Sequence, residues 1–370
     1  MKLFIYIEPT SYLMLLLRQL KHLDSGSRRI IFLRENLTQK WDIELQDVND
    51  MEILRGGAAN IYRLWHLMTN QDVELLHLAG WGHPILIIAM LLARILAIPI
   101  TVESDTIKYV GIPRWKRALK RLFYPLLFKM PAMFLPGGSR QAEYLRFYGV
   151  PDNRIKVAQM TVDTTGISAY INAMDSNRKV SIRASYDVPS DGIIFLYVGR
   201  LEPHKGLIEL ISAFERISLT ENRLAYLLIV GDGSLSDVII EKSAQQKYIR
   251  YAGRLSGSAL FDAYAVADVF ILVSRFEPWG LVINEAMAAG LPVVVTECLG
   301  CVDDLVIQGE TGLVIPIDSE EMLVKAMESL FFNQKLREEM AQNARNLISG
   351  WTLENEANIV VNAWEKILKG

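Results

Sequence analysis

The sequence predicts an α/β protein made of two doubly wound, Rossmann-like domains that face each other across a cleft. Three observations lead there. The 370 residues exceed what one hydrophobic core ordinarily serves. Short apolar runs alternate with helical patterns along the whole chain, as parallel sheets covered on both faces require. The alternation also comes in two series, parted by a polar stretch at residues 163–178 that holds Thr164, Thr165, Gly166, Asn172, Asp175, Ser176 and Asn177.

In the first series, strands are expected at residues 2–7, 29–33, 75–78, 98–102, 133–135 and 155–157. Residues 84–102 form the most hydrophobic run, but Arg94 interrupts it and Pro99 ends it as a helix. A charge at mid-depth is costly in a bilayer, so this run reads as a buried helix feeding a strand rather than a membrane span. The second series places strands at residues 193–198, 225–230, 249–252, 269–273, 292–295 and 312–314, with helices at 207–218, 256–266 and 320–332 between them. Near the end, Ala357, Val360, Val361, Trp364 and Ile367 recur at helical spacing. The predicted division is therefore residues 1–168 and 169–350, with a helix in 351–370 packing back on the first domain.

Two cysteines, Cys298 and Cys301, make no disulfide framework and point to a reducing compartment. The N-terminal residues read as a buried strand without the features of a secretory leader, so a cytoplasmic setting is expected. The Cys-x-x-Cys spacing has neither a second pair nor a thioredoxin-like setting, and a structural role is expected. Net charge is −3, divided as +6 over residues 1–170 and −9 over the remainder. From Thr106 to Ala142 there are eight basic residues and no acidic one, which predicts an anionic partner. Within that stretch Trp115, Ala118, Leu119 and Leu122 share a helical stripe, with Arg114, Lys116, Arg117, Lys120 and Arg121 around it. The pattern suits a peripheral contact with an anionic membrane through residues 108–129, on the inner face of the plasma membrane; an ordinary packed helix with a solvated basic face is the alternative. No nucleic-acid-binding motif accompanies the patch, so nucleic acid is not expected.

The chemistry concentrates in residues 269–292, which read as strand, loop, helix, helix stop and strand, Gly290 ending the helix and Pro292 opening the next strand. The backbone amides of Gly280, Leu281 and Val282 fall in the helix's first turn, where the dipole favours a phosphate. Glu277 precedes that turn and Glu285 lies about one turn inside it, placing two hydroxyl-binding carboxylates near it. Gly199 ends the first strand of the second series, and Arg200 and Lys205 follow before the next helix. A guanidinium and an ammonium at this place suit a diphosphate. The turn Gly231-Asp232-Gly233-Ser234 is equally well a plain tight turn. No strand is followed by Gly-x-Gly-x-x-Gly, which argues against a nicotinamide dehydrogenase.

These pieces, in order, resemble the retaining glycosyltransferase family 4 with its two-domain GT-B architecture: Gly199-Arg200-Leu201 with Lys205-Gly206, Val230-Gly231-Asp232-Gly233, Tyr251-Ala252-Gly253-Arg254-Leu255, Glu277-Pro278-Trp279-Gly280-Leu281-Val282 with Glu285-Ala286, and residues 309–316. The resemblance covers about 120 residues. It implies transfer of a hexose from a UDP- or GDP-sugar, with retention, to a saccharide or polyprenyl-linked acceptor, as in polysaccharide, lipopolysaccharide or glycolipid synthesis. Arg200 and Lys205 would hold the leaving diphosphate, Glu285 the ribose and Glu277 the sugar hydroxyls. Gly280, Leu281 and Val282 would offer amides, and Arg254 and Leu255 would lie beside the base. No cofactor is implied beyond the donor substrate. No well-placed Asp-x-Asp occurs, Asp303-Asp304 lying downstream of the next strand, so a metal-independent reaction is expected, with fixed cations meeting the leaving group's charge. The chain departs from the family after the first strand, where Glu8-Pro9-Thr10-Ser11 replaces a glycine-rich loop and Gly56-Gly57 comes too late to serve. Many members carry a His near residue 100; here the segment reads Thr101-Val102-Glu103-Ser104-Asp105. Asp105 is the candidate acceptor-side catalytic group, with Glu103 second. His77 and His83 flank another candidate cleft loop and read as hydrogen-bonded structural residues. Other functions for the same fold are a nucleotide-sugar epimerase and a non-catalytic sugar-nucleotide-binding subunit.

Overall fold

The computed structural model describes residues 1–35, 50–54, 58–108, 111, 113–217 and 224–369. Gly56 and Gly57, and the Ser218 end of the helix expected from Leu207, lie outside the described residues. The chain divides into two compact units, Met1–Thr161 with Leu353–Gly370, and Val162–Thr352.

In the first unit β1 (Lys2–Tyr6) is buried along its whole length. Thr10 caps α1 (Ser11–Leu23) by accepting from the Leu13 amide at 3.4 Å, so the segment that replaces a glycine-rich loop is a helix start. Next come β2 (Arg28–Phe32), β3 (Met51–Ile53), α2 (Ala58–Asn70) and β4 (Leu75–Ala79). His83 and Pro84 start α3 (Pro84–Ile95), the His83 ring accepting from the Ile85 amide. Then follow β5 (Ile100–Ser104), α4 (Arg114–Leu127), β6 (Met133–Pro136) and α5 (Ser139–Phe147). The sheet is parallel with order β3-β2-β1-β4-β5-β6, so its strand order reverses between β1 and β4.

Three details differ from expectation. Strand β5 opens at Ile100 because the Ile98 amide closes the end of α3 on the Ala93 carbonyl at 2.9 Å, and Pro99 has no amide to give. Residues 155–157 are not a strand. They run beside β6, with Lys156 donating to Phe134 and Ala158 to Pro136, but only Ile155 completes a bridge. Strand β3 was not anticipated: three half-buried residues centred on Glu52 carry too little apolar pattern to register.

The second unit opens with α6 (Thr164–Asn172) and α7 (Ser176–Ser185), then runs β7 (Ile193–Val198), α8 (Leu207–Glu215), β8 (Ala225–Val230), α9 (Ser236–Gln245), β9 (Ile249–Tyr251), α10 (Gly257–Val266) and β10 (Val269–Leu272). It continues with α11 (Leu281–Ala288), β11 (Val293–Thr296), α12 (Val302–Leu305), β12 (Gly312–Ile315), α13 (Glu320–Phe332) and α14 (Gln334–Ile348). Its parallel sheet has the order β12-β11-β10-β7-β8-β9, reversing between β7 and β10. Every residue of β7, β8, β10 and β11 is buried. Covered on both faces, these strands read as unbroken apolar runs. Helix α6 belongs here, ahead of residue 168, because it is tied to its neighbours: the Ser168 hydroxyl donates to the Ala288 carbonyl at 2.8 Å and Tyr170 to Asp262 at 2.8 Å.

The last helix, α15 (Leu353–Lys369), packs on α1 in the first unit and buries Leu353, Ala357, Val360, Ala363 and Trp364. Trp364 is 1% exposed and meets Phe4 of β1 edge-on at 5.5 Å. Burying an aromatic of that size contributes about 2–3 kcal/mol, enough to hold the helix to a unit from which it is far removed in sequence.

Candidate functional site

Parallel sheets bind ligands at their carboxyl ends, where the strand order reverses. In the second unit that place is built by glycines. Gly206, at φ +71°, sits where an added Cβ would fall 2.3 Å from the Val273 carbonyl oxygen beyond β10. Gly231, at φ +146°, lies so close to the Gly199 carbonyl that a Cβ would fall 1.8 Å from its oxygen. Only glycine allows both conformations and both approaches. The loops after β7, β8 and β10 are thereby interlocked, and the turn Pro203–Lys205 is laid against the end of β10.

The consequence is a contact that sequence spacing did not reveal. The Lys205 ammonium pairs with the Glu277 carboxylate. Their side chains are only 11% and 16% exposed, so each holds the other's charge in a poorly solvated place. An ammonium has three hydrogens, and this pairing leaves Lys205 further donors. Arg200 is exposed at the mouth of the same turn, its carbonyl accepting from the Tyr197 hydroxyl at 2.9 Å and from the Glu202 amide at 3.0 Å.

The loop carrying Glu277 is clamped to the loop after β11. Gly300 donates to the Glu277 carbonyl at 2.9 Å and Cys301 to the Trp279 carbonyl at 3.2 Å. Trp279 is buried, donates to Asn284 at 3.0 Å and stacks on Trp351 at 5.6 Å. Both cysteines are free thiols, Cys301 buried and Cys298 donating to the Ser274 carbonyl at 2.9 Å, as a structural role for the Cys-x-x-Cys requires. The clamp presents Gly280, at φ +101°, as the cap of α11. The amides of Gly280, Leu281 and Val282 then stand at a helix start, whose first-turn donors have no intrahelical partner and whose dipole attracts anions.

Glu285 lies one turn further along α11 and accepts from the Tyr264 hydroxyl at 2.7 Å. Burial raises its carboxyl pKa to about 7, and the tyrosine's hydrogen bond partly opposes the rise. Tyr264 is fully buried and was not identified from sequence; a tyrosine in a helical apolar pattern carries no signal of its partner. Arg254 is exposed and Leu255 half-buried after β9. Their loop is joined to the others by the bond from the Gly231 amide to the Gly253 carbonyl at 2.8 Å. In the turn after β8, the Ser234 hydroxyl donates to Glu202 at 2.7 Å and Ser236 to Asp232 at 2.8 Å.

The first unit has its own polar group at its carboxyl end. His77 of β4 is fully buried, with Nδ1 2.7 Å from the Thr101 hydroxyl and Nε2 2.8 Å from Glu103 Oε1. The Tyr6 hydroxyl is 3.5 Å from the same carboxylate oxygen. Asp105 follows β5 and is exposed. His83 serves as the cap already described. Strand register explains the cluster: His77 pairs with Thr101 across β4 and β5, and Thr101 and Glu103 are two residues apart on one face.

On α4 no described residue is buried. Trp115, Leu119, Leu122, Phe123 and Leu126 are 47–64% exposed, while Tyr124 turns inward against Phe128 and Tyr148, both at 5.0 Å. The apolar stripe therefore faces away from the core that Tyr124 joins. Among the described residues no helix is long and apolar enough to cross a membrane, and no group of three or more His, Cys, Asp or Glu side chains is placed to hold a metal ion.

Residues 179–347 match the model of the family glycosyl transferases group 1. Over those residues the chain is similar to that family. An uncharacterized glycosyltransferase of Methanocaldococcus jannaschii is 26% identical over 67% of this chain and 63% of its own length. The lipopolysaccharide core biosynthesis glycosyltransferase LpsE of Rhizobium meliloti is 31% identical over 48% of this chain and 52% of its own. The chain thus spans less than two thirds of the length of these curated relatives. Among solved structures, Anabaena HepE in complex with UDP superposes with a TM-score of 0.80 at 16% identity, covering 99% of this chain and 100% of that one. At that identity the likeness shows the fold, two-domain α/β GT-B, and the residues matched to group 1 correspond to the second of the two sheets described here.

Proposed function

We propose that this protein is a glycosyltransferase that moves a hexose from a UDP- or GDP-sugar to a saccharide or lipid-linked saccharide, with retention of configuration and without a metal ion. One observation carries the reading: glycine-locked loops bring Arg200, the Lys205–Glu277 pair and the α11 amides to the reversal point of one sheet. In glycosyl transfer the bond from the anomeric carbon to the diphosphate breaks, and its electron pair leaves with the phosphate. Arg200, Lys205 and the amides of Gly280, Leu281 and Val282 are assigned to that growing charge, as preorganised dipoles and cations that need no rearrangement during reaction. Glu277, already fixed by Lys205, is assigned to the sugar hydroxyls, and Glu285 to the ribose diol. Arg254 and Leu255 are assigned to the base. The acceptor side falls to the carboxylates at the end of β5, Asp105 and Glu103.

The UDP in the HepE structure supports a nucleotide-sugar donor, and the lipopolysaccharide role named for LpsE supports a saccharide acceptor. Helix α4 supports a lipid surface at the acceptor side. Its exposed apolar stripe and the cations Arg114, Lys116, Arg117 and Arg121 fit an anionic leaflet, each cation contributing about 1 kcal/mol. On this reading the protein sits peripherally on the cytoplasmic face of a membrane.

A melting screen with UDP-, GDP- and ADP-sugars in EDTA tests the proposal. Binding of one donor raises Tm, and free nucleoside diphosphate accumulates when acceptor is added. No shift with any donor, or a strict requirement for a divalent cation, overturns it.

A further inference from the structure

The first unit's polar cluster lies where its strand order reverses. Tyr6 ends β1, His77 is on β4 and Glu103 is the next-to-last residue of β5. The cluster's chemistry is directional. The His77 ring is buried and wedged against Phe4 at 5.3 Å and Trp364 at 5.5 Å, so it has no room to turn. With Nε2 donating to Glu103 Oε1, the other ring nitrogen, Nδ1, faces the Thr101 hydroxyl. That oxygen is also the one nearest the Tyr6 hydroxyl. Glu103 Oε2 makes no hydrogen bond among the described residues, and the side chain is 26% exposed. One carboxylate oxygen is thus anchored, and the other has no hydrogen-bond partner among the described residues. Asp105, by contrast, is exposed beyond the strand's end, and among the described residues no other side chain hydrogen-bonds to it.

We infer that Glu103 is the group of the first unit that accepts a hydrogen bond from the acceptor's reacting hydroxyl, and that His77 and Thr101 are the residues that position it. The inference rests on the sugar-transfer reading above and decides between the two carboxylates left open there. A carboxylate held at one oxygen by a buried imidazole loses little freedom when the other oxygen takes a hydroxyl, which is the condition for orienting a reactant. The buried Glu356 of α15 lies near this cluster: burial first, and the neighbouring Glu103 charge second, push its carboxyl well above the usual range.

The test uses the full chain with UDP-glucose and GDP-mannose as donors and octyl glucoside and octyl mannoside as acceptors. Transfer, donor hydrolysis to water, and the Tm shift given by UDP or GDP are measured for each variant. Glu103→Gln keeps the shape and is expected to lower kcat/KM for the acceptor roughly 10- to 100-fold, with donor hydrolysis and the nucleotide shift unchanged. His77→Gln, which still donates to Glu103, is expected to keep most transfer, whereas His77→Leu loses it to the extent of Glu103→Gln. Should His77→Leu fail to fold, Thr101→Val probes the same support from its far end. Transfer by Glu103→Gln at the wild-type kcat/KM overturns the inference alone. So does an equal fall in hydrolysis and transfer, or a larger loss in Asp105→Asn than in Glu103→Gln. A wild-type chain that neither binds nor hydrolyses any donor overturns the sugar-transfer reading, and this inference with it.

Discussion

Replacing Lys205 with Met, Glu277 with Gln, and then both together separates what their pairing does for the fold from what it does for the reaction. Removing one partner of a fully buried ion pair costs about 3–5 kcal/mol, because the other charge is stranded. Here the side chains keep 11% and 16% of their exposure, so water reaches them in part and a loss of about 2 kcal/mol is expected for Lys205→Met. For a unit the size of Val162–Thr352 this lowers Tm by roughly 4–8 °C. The double variant has no charge left to strand and should recover to within about 1 kcal/mol of the wild type, so that with about 2 kcal/mol lost in each single variant the coupling is about 3 kcal/mol. Activity should not recover with it. If Lys205 meets the charge of the departing diphosphate, kcat falls about 100- to 1,000-fold in Lys205→Met and stays down in the double variant. Urea unfolding and nucleotide-release assays on the four proteins provide both readouts. Additive stability losses would show that the pair does not form in solution. Wild-type turnover in the double variant would end the electrostatic account of catalysis.

Three further outcomes are expected. Donor affinity should weaken as pH falls from 8 to 6. The Glu285 carboxyl, raised to about 7 by burial, takes up a proton over that range and loses the charge proposed to receive the ribose diol. Glu285→Gln flattens the profile in titration calorimetry, and Tyr264→Phe, which removes a bond that favours the anion, moves it to higher pH. The same shift has a stability sign: the native state holds a proton that the unfolded chain releases near pH 4.5, so the burial cost of this anion is absent below that pH and complete above 7. Trp364→Ala should cost about 3–5 kcal/mol and expose α15 to limited proteolysis; an unchanged urea midpoint contradicts the packing described. On α4, Lys116→Gln with Arg117→Gln should weaken pelleting with anionic liposomes roughly 30-fold, at about 1 kcal/mol per cation. Leu122→Ser should weaken it as well, with Tm nearly unchanged because none of these side chains is buried. Full pelleting by both variants counts against a lipid surface.

Much of the architecture was legible before any coordinates. The second unit's strands were placed within about one residue, because strands buried on both faces must be apolar at every position and are bounded by glycine, proline or helix starts. Gly290 could be singled out as a helix stop, whereas the left-handed turns at Gly206 and Gly280 appear only in the structure. Less was legible where pattern and environment part company. Strand β3 has too few residues to show a period. Residues 155–157 have a strand's composition but only one bridge. The boundary lies at Thr161 because Ser168 and Tyr170 tie α6 to helices that follow it by about a hundred residues, a link no local composition records. Helix α4 shows the limit most directly: its amphipathic spacing is the same whether the stripe packs inward or faces out, and only the exposures of Trp115 and Leu122 decide.

By itself the sequence determined the periodicities, and hence the two sheets, and the residue types able to meet a diphosphate and a sugar. Tertiary structure alone decided which of them meet one another: Lys205 with Glu277, Tyr264 with Glu285, and Thr101 with His77 and Glu103. The physical reason is that periodicity is set by backbone geometry over a few residues. The pairing of charges and hydrogen bonds depends on strand order and register, which bring together groups such as Lys205 and Glu277, 72 positions apart.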